Sequence, residues 1–192
     1  LGYNRRALFL KKIAQEVMTS FNGELPKDIQ LVQTLPGIGP HTAASICAFA
    51  FNMPVSFVET NIRTVFIHEF FKGKKNIHDS QILSCVAQAV DRRKPSAWYN
   101  ALMDYGVMLK KKYANPSRRS AHYYKQKPFE GSNRQLRGTI IKYLTNQPLT
   151  LDAIHQKIGK NYAEIQKNLT KLKAEGFIKE KKEKYCIVGD II

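Results

Sequence analysis

The sequence has few acidic residues, few cysteines and no long apolar run. Its 192 residues include 15 Asp or Glu against 31 Lys or Arg, which gives a formal net charge of +16. Such an excess of cations favours the phosphates of nucleic acid as partner. No apolar stretch approaches the roughly 20 residues that cross a bilayer, and the first ten residues lack the apolar core of a signal peptide. We therefore expect a cytoplasmic protein with no membrane contact.

The three cysteines, Cys47, Cys85 and Cys186, are too scattered to form a recognisable site. No Cys-x-x-Cys spacing or histidine cluster accompanies them, so neither a zinc site nor a disulfide framework is indicated. We expect all three to be reduced packing residues.

Helical periodicity dominates the first 110 residues, and strand patterns are missing there. Apolar residues three and four positions apart predict an amphipathic helix over residues 5–21. Asp79 is a candidate helix cap, and Pro95 suits a first helical turn. Further helices are predicted for residues 28–34, 41–51, 60–71, 79–90 and 95–110.

The composition changes at residues 110–127, which are rich in Lys and Arg and contain no acid. Three short helices are then predicted over residues 134–145, 151–158 and 162–175, and two alternating segments at 177–180 and 185–188 predict a β-hairpin. Three helices with a two-stranded wing describe a winged helix. We predict a helical domain over residues 1–112, a basic linker over 113–132 and a winged-helix-like α+β domain over 133–192.

Leu35-Pro-Gly-Ile-Gly39 is a glycine turn that leads into a helix. Gly37 and Gly39 permit backbone geometry barred to other residues, so amides can approach an anion at the positive end of the helix. A single carboxylate, Glu59, follows 20 residues after Gly39. The turn predicts a phosphate site, and in a basic chain that phosphate belongs to nucleic acid.

Residues 1–106 resemble the helix-hairpin-helix DNA glycosylases, especially the A/G-specific adenine glycosylases. The resemblance is carried by Leu1-Gly-Tyr3 with Arg6, by the glycine hairpin and the aliphatic helix after it, by Glu59-Thr-Asn61 and by Ala101-Leu-Met-Asp-Tyr-Gly106. It implies a mainly α fold in which the helix-hairpin-helix domain is incomplete at its N-terminus. It also implies an enzyme that extrudes a base from duplex DNA and cleaves its glycosidic bond.

The resemblance assigns roles to individual residues. Glu59 takes the place of a family aspartate that stabilises the sugar cation, Asn61 assists it, and Tyr3 is the aromatic wedge in the duplex. In members that also cut the strand a lysine stands at His41, so a monofunctional hydrolase is implied. The implied DNA contacts are Tyr3, Arg6, Leu35, Gly37, Ile38, Gly39, His41, Thr42, Arg63, Arg118 and Arg119.

The sequence departs from the family in two further places. The family glutamate that protonates the leaving base would lie before Leu1, so we expect the sequence to be truncated. The four cysteines of the family iron–sulfur cluster are replaced by Lys110, Ser117, Ser120 and Gln126. We therefore expect no cluster and no other cofactor, with a monovalent cation at the hairpin carbonyls as the one metal that the resemblance implies.

The implied function is base-excision repair, with adenine opposite 8-oxoguanine as the leading substrate. Uracil or thymine opposite guanine is the first alternative, and a DNA-binding protein that lacks the chemistry is the second. The expected partner is duplex DNA with a damaged or mismatched base, bound by a monomer at the bacterial nucleoid. The third helix of the winged-helix-like domain would read a groove through Lys160, Gln166, Lys167, Asn168, Lys171 and Lys173; a packing or protein-interaction module is the alternative there.

Overall fold

The computed structural model describes residues 5–126 and 128–189, and this part of the chain is mainly helical. Tyr3 lies outside the described residues. The helices are α1 (Arg5–Ser20), α2 (Ile29–Thr34), α3 (Pro40–Phe51), α4 (Thr60–Phe70), α5 (Asp79–Ala89), α6 (Pro95–Lys112), α7 (Asn133–Asn146), α8 (Leu151–Ile158) and α9 (Tyr162–Ala174). The strands are β1 (Leu149–Thr150), β2 (Ile178–Lys181) and β3 (Lys184–Ile187), and a short 3-10 helix covers Pro116–Arg119. No helix in the described ranges is both long enough and apolar enough to cross a membrane.

The chain divides into two compact units. The larger covers Ile13–Lys125, and the smaller combines the described residues up to Lys12 with those from Gln126 onward. The helix periodicities of the sequence are confirmed to within a few residues. Asp79 was predicted as a helix cap, but the N-cap of α5 is His78, and Asp79 is the first helical residue.

The core of the larger unit is formed by α3, α4, α5 and α6. Tyr99, Gly106 and Leu109 are buried on α6 at spacings of seven and three, so they lie on one face of that helix. The ring of Tyr99 packs at 4.3 Å from that of Phe57, and its hydroxyl donates to the carbonyl of Val55 at 2.8 Å. Burial raises the pKa of Tyr99 to about 12, as expected for a phenol enclosed by apolar groups.

The middle of the basic stretch folds onto α4. The Ser117 hydroxyl lies 2.6 Å from that of buried Thr64, and the amide of Ile77 donates to the carbonyl of Arg119 at 3.1 Å. The guanidinium of Arg119 donates to the carbonyls of Ile67 and Phe71 at 2.7 and 2.6 Å. These carbonyls end α4, where a cation also complements the helix dipole. This segment is therefore a fixed part of the larger unit.

The smaller unit combines α7, α8 and α9 with a three-stranded antiparallel sheet of order β1-β3-β2. Lys182 and Glu183 join β2 to β3 with φ values of 50° and 61°, the backbone of a tight hairpin turn. The predicted hairpin is confirmed, whereas two-residue β1 escaped prediction because it is too short to show alternation. Asn168 was predicted to read a groove from the third helix, but its side chain is buried, because the position faces the core of this unit.

Candidate active site

The glycine hairpin is held by its apolar residues and exposes its tip. Leu35 is buried, and its carbonyl accepts from the amide of Ile38 at 3.1 Å, which closes the turn. Gly37 has φ +76°, a conformation that L side chains disfavour, so this glycine is required by the backbone itself. The predicted turn is therefore anchored in the core by Leu35 and exposes Gly37 at its tip.

Gly39, unlike Gly37, is not required by the fold. It is the N-cap of α3 with φ −91°, and a Cβ built there would meet nothing within 4 Å. Neither the backbone nor the packing of the described residues demands glycine at this position. No side chain caps the first turn of α3, and Pro40, His41 and Thr42 at its start are exposed. The bare turn therefore presents helix-end amides to an external group.

Glu59 is fixed at the start of α4 by the helix itself. Its Oε1 accepts from the amides of Asn61 and Ile62 at 2.5 and 2.9 Å, which makes it the N-cap. The usual N-cap residues have shorter side chains, and Glu59 accepts from the same two amides with a side chain one methylene longer than that of aspartate. Oε2 has no hydrogen-bond partner among the described residues. The half-buried carboxylate is thus oriented through one oxygen, with the other available.

Asn61 and Lys110 meet beside Glu59. The ammonium of Lys110 donates to Asn61 Oδ1 at 2.7 Å. Burial is the main cause that lowers the pKa of Lys110, and Arg63 lowers it further, whereas the charge of Glu59 opposes the shift. The direction of these effects shows that Glu59, Arg63 and Lys110 are close enough to interact electrostatically. Sequence reasoning found Glu59 and Asn61, but it gave Lys110 no role in the site.

Arg63 is committed to an ion pair. Its guanidinium donates to both carboxylate oxygens of Asp79, at 2.7 and 2.6 Å. These hydrogen bonds are the main cause that lowers the pKa of Asp79, and the charges of Arg63, His122 and His41 act in the same direction. His41 is the second residue of α3, so its small effect on the pKa of Asp79 indicates that the end of the hairpin lies near the Arg63–Asp79 pair.

We expect Asp79→Asn to destabilise the larger unit by about 2 kcal/mol at pH 7, because it leaves a partly buried guanidinium without its bidentate partner. Since the folded-state pKa of Asp79 is lowered, its contribution is present above the ordinary carboxyl pKa of 3.8 and is lost as the pH falls through the folded value. Chemical denaturation at pH 7 and pH 3 measures both effects. A difference between wild type and variant that persists unchanged at pH 3 would contradict this assignment.

The three remaining arginines predicted to contact DNA lie outside the helices that carry the hairpin end and Glu59. Arg6 belongs to the smaller unit, and both terminal nitrogens of Arg119 are bound to carbonyls of α4. Arg118 is exposed one residue earlier, on the 3-10 helix. No group of three or more His, Cys, Asp or Glu side chains in residues 5–126 or 128–189 is arranged to hold a metal. The larger unit thus gathers the hairpin end, Glu59, Asn61 and Arg63.

Several DNA glycosylases are similar to this chain. The adenine DNA glycosylase of Mycobacterium tuberculosis is 42% identical over 65 residues, which are 34% of this chain and 21% of that protein. The human adenine DNA glycosylase is 29% identical over 113 residues, or 57% of this chain and 21% of that protein. The thymine/uracil-DNA glycosylase of Methanothermobacter thermautotrophicus is 33% identical over 109 residues, or 55% of this chain and 49% of that protein.

These relatives confirm the resemblance to DNA glycosylases that the hairpin and Glu59 indicate. The matched segments span about a fifth of the length of the mycobacterial and human proteins. No family model matches the chain.

Proposed function

We propose that this chain acts as a monofunctional DNA glycosylase in base-excision repair, with adenine opposite 8-oxoguanine as substrate. The observation that carries the proposal is the first turn of α4, in which the backbone amides of Asn61 and Ile62 fix the carboxylate of Glu59 two residues before the side chain of Asn61. Duplex DNA in the cytoplasm is the proposed partner, bound by a monomer. No cofactor enters the proposed chemistry.

The chemistry follows from a fixed negative charge. As the bond between the base and C1′ breaks, its electron pair leaves with the base and positive charge develops on the sugar. A carboxylate already oriented by two helix amides stabilises that charge without reorganising. Water then adds to C1′ and loses a proton to solvent, and the departing base takes up a proton from solvent, which completes the hydrolysis. In this scheme Glu59 Oε2 faces the sugar and Asn61 holds the sugar next to it.

The hairpin supplies the grip on the backbone. Amides at the start of α3 would bind a phosphate next to the flipped nucleotide, aided by the helix dipole. The proposed monovalent cation would use hairpin carbonyls; those of Leu35 and Gly39 each accept one amide and retain a second lone pair. Exposed Arg118 and the exposed lysines of a winged-helix domain formed by α7–α9 and the sheet would add phosphate contacts.

Two alternatives use the same site. The first alternative is uracil or thymine opposite guanine as substrate. A relative from Methanothermobacter thermautotrophicus bears the name thymine/uracil-DNA glycosylase, which favours thymine or uracil as the excised base. The replacement of the family aspartate by Glu59 favours a protein that binds DNA without excising a base. The base pocket would therefore decide which base is excised, and the geometry of the carboxylate would decide whether any base is excised.

One assay separates these functions. The chain is incubated with duplexes that contain A opposite 8-oxoguanine, U opposite G or T opposite G, and alkali then cleaves any abasic site. We expect cleavage of the first duplex. Cleavage of only the guanine mispairs would replace adenine as substrate, and tight, salt-sensitive binding without cleavage of any duplex would leave the DNA-binding function.

Gly39→Ala tests the phosphate grip. Because an added Cβ at Gly39 meets no protein atom, we expect the free energy of unfolding to change by less than about 1 kcal/mol. The methyl group would keep a phosphate from the amides, so duplex affinity should fall about tenfold. Fluorescence anisotropy measures the affinity, with Gly138→Ala in the smaller unit as the control that adds a methyl group elsewhere. Unchanged affinity in Gly39→Ala would remove the hairpin from the interface.

A further inference from the structure

Lys110 is placed in the candidate active site by a close approach of two helices. Gly106 lies one turn before Lys110 on α6, and a Cβ at Gly106 would come within 2.6 Å of the Asn61 carbonyl oxygen. Side chains four residues apart lie on the same helix face, so the contact at Gly106 aims Lys110 at the first turn of α4. The hydrogen bond from Lys110 to Asn61 is the result.

A lysine partner fixes which way the Asn61 amide points. The two ends of an asparagine amide are similar in shape, and only their hydrogen bonds distinguish them. An ammonium group has donors and no acceptor, so the atom that faces Lys110 must be Oδ1. The NH2 group is then turned away from Lys110, and it has no partner among the described residues. Asn61 therefore presents a donor to whatever occupies the site.

We propose that Lys110 is a positioning residue, which holds the amide of Asn61 with its NH2 group directed at the bound nucleotide beside Glu59. This inference rests on the proposed function and deepens it. Lys110 acts through Asn61 and makes no bond to the reacting atoms. The positive charge of Lys110 would repel the developing sugar cation, and the adjacent carboxylate of Glu59 offsets that repulsion.

Substitutions at Lys110 separate orientation from simple packing. Lys110→Met keeps the length and removes the donor, whereas Lys110→Gln keeps a donor but also offers an acceptor, which allows Asn61 to flip. We expect the single-turnover excision rate to fall about 10- to 100-fold in both, with duplex affinity within about threefold of wild type. Lys110→Arg restores an obligate donor and should recover most of the rate. Lys111→Met, at the exposed neighbour on α6, is the matched control.

A double-mutant cycle identifies the route of the effect. In an Asn61→Ala background Lys110→Met should cause no further loss, because the group that it orients is gone. An undiminished loss in that background would overturn the proposal, since Lys110 would then act on Glu59 or on DNA directly. Failure of Arg to recover more activity than Gln would overturn it as well.

An NMR measurement keeps this inference separate from the proposed function. If wild type excises none of the tested bases, the proposed function fails, and the side-chain NH2 resonances of Asn61 decide the role of Lys110 on their own. These resonances, assigned with Asn61→Ala, should shift or broaden in Lys110→Met and stay in place in Lys111→Met. Unmoved resonances in Lys110→Met would overturn the proposal.

Discussion

Glu59→Gln is expected to lower the excision rate by about a thousandfold or more while duplex affinity stays within a few-fold of wild type. The substitution removes the negative charge that would stabilise the sugar cation. It preserves the shape of the side chain and leaves a carbonyl oxygen to accept from the amides of Asn61 and Ile62. Because the proposed function assigns DNA binding to the hairpin and the basic surface, duplex affinity should persist.

The N-cap role of Glu59 determines the choice of variant. Glu59→Ala would remove the charge and the cap together, so a fall in rate could reflect fraying of α4. With Gln, the amide oxygen can replace Oε1, and the helix should lose less than about 1 kcal/mol from the weaker interaction with its dipole. Thermal unfolding, measured alongside single-turnover kinetics, verifies that the helix survives.

Glu24→Gln is the matched control, since Glu24 is exposed and its loss changes the net charge equally. We expect wild-type rate and affinity from it. If Glu59→Gln loses rate and affinity in parallel, the carboxylate serves binding rather than chemistry. If it retains full activity, the sugar cation is stabilised by another group.

The parts of the site that sequence predicted are those specified locally. The hairpin is encoded within five residues, so turn chemistry sufficed to predict it. Glu59 and Asn61 lie within three residues, and their roles were predicted from their match to the glycosylase family. The structural roles of these residues could not be predicted from the sequence in the same way. Nothing in the sequence shows that Glu59 folds back to cap α4, because that depends on the side-chain torsions at one helix end.

The parts that sequence missed are contacts between distant segments. Lys110 is 49 residues from Asn61, and Asp79 is 16 residues from Arg63. Periodicity shows which face of a helix is apolar, but not which residue of another helix it meets. Arg119 shows the same gap: the sequence predicted a DNA contact for it, and only the structure shows that its guanidinium also donates to the carbonyls of Ile67 and Phe71 at the end of α4.

Gly106 offers the one sequence signal for the helix contact. A glycine inside a helix costs about 1 kcal/mol relative to alanine, so its presence in α6 favours a site where another backbone comes close. That is what the structure has: a Cβ on Gly106 would lie 2.6 Å from the Asn61 carbonyl oxygen and 2.8 Å from its Cβ. Glycine lowers the stability of α6, but the absence of a Cβ allows the backbones of α4 and α6 to come into contact.

Gly106→Ala is therefore expected to destabilise the larger unit by about 3 kcal/mol, although alanine is the better helix former. The clashing atoms belong to or adjoin the backbone of α4, so no side-chain rotation can relieve them, and the helices must separate. A shift of about 1 Å in Asn61 would also cut the excision rate by about a hundredfold. Hydrogen exchange of peptides from α4 and α6, followed by mass spectrometry, localises the loss of stability.

Gly138→Ala provides the opposite expectation from the same chemical change. Gly138 lies inside α7, and a Cβ there would meet nothing within 4 Å, so the helix propensity of alanine should stabilise the smaller unit by about 0.5–1 kcal/mol. The two variants add the same methyl group to a helical glycine and differ only in what that group meets. Equal stabilisation by both would mean that α4 and α6 are not in contact at Gly106. In that case Lys110 would have no fixed path to Asn61, and the catalytic arrangement derived from that contact would be wrong.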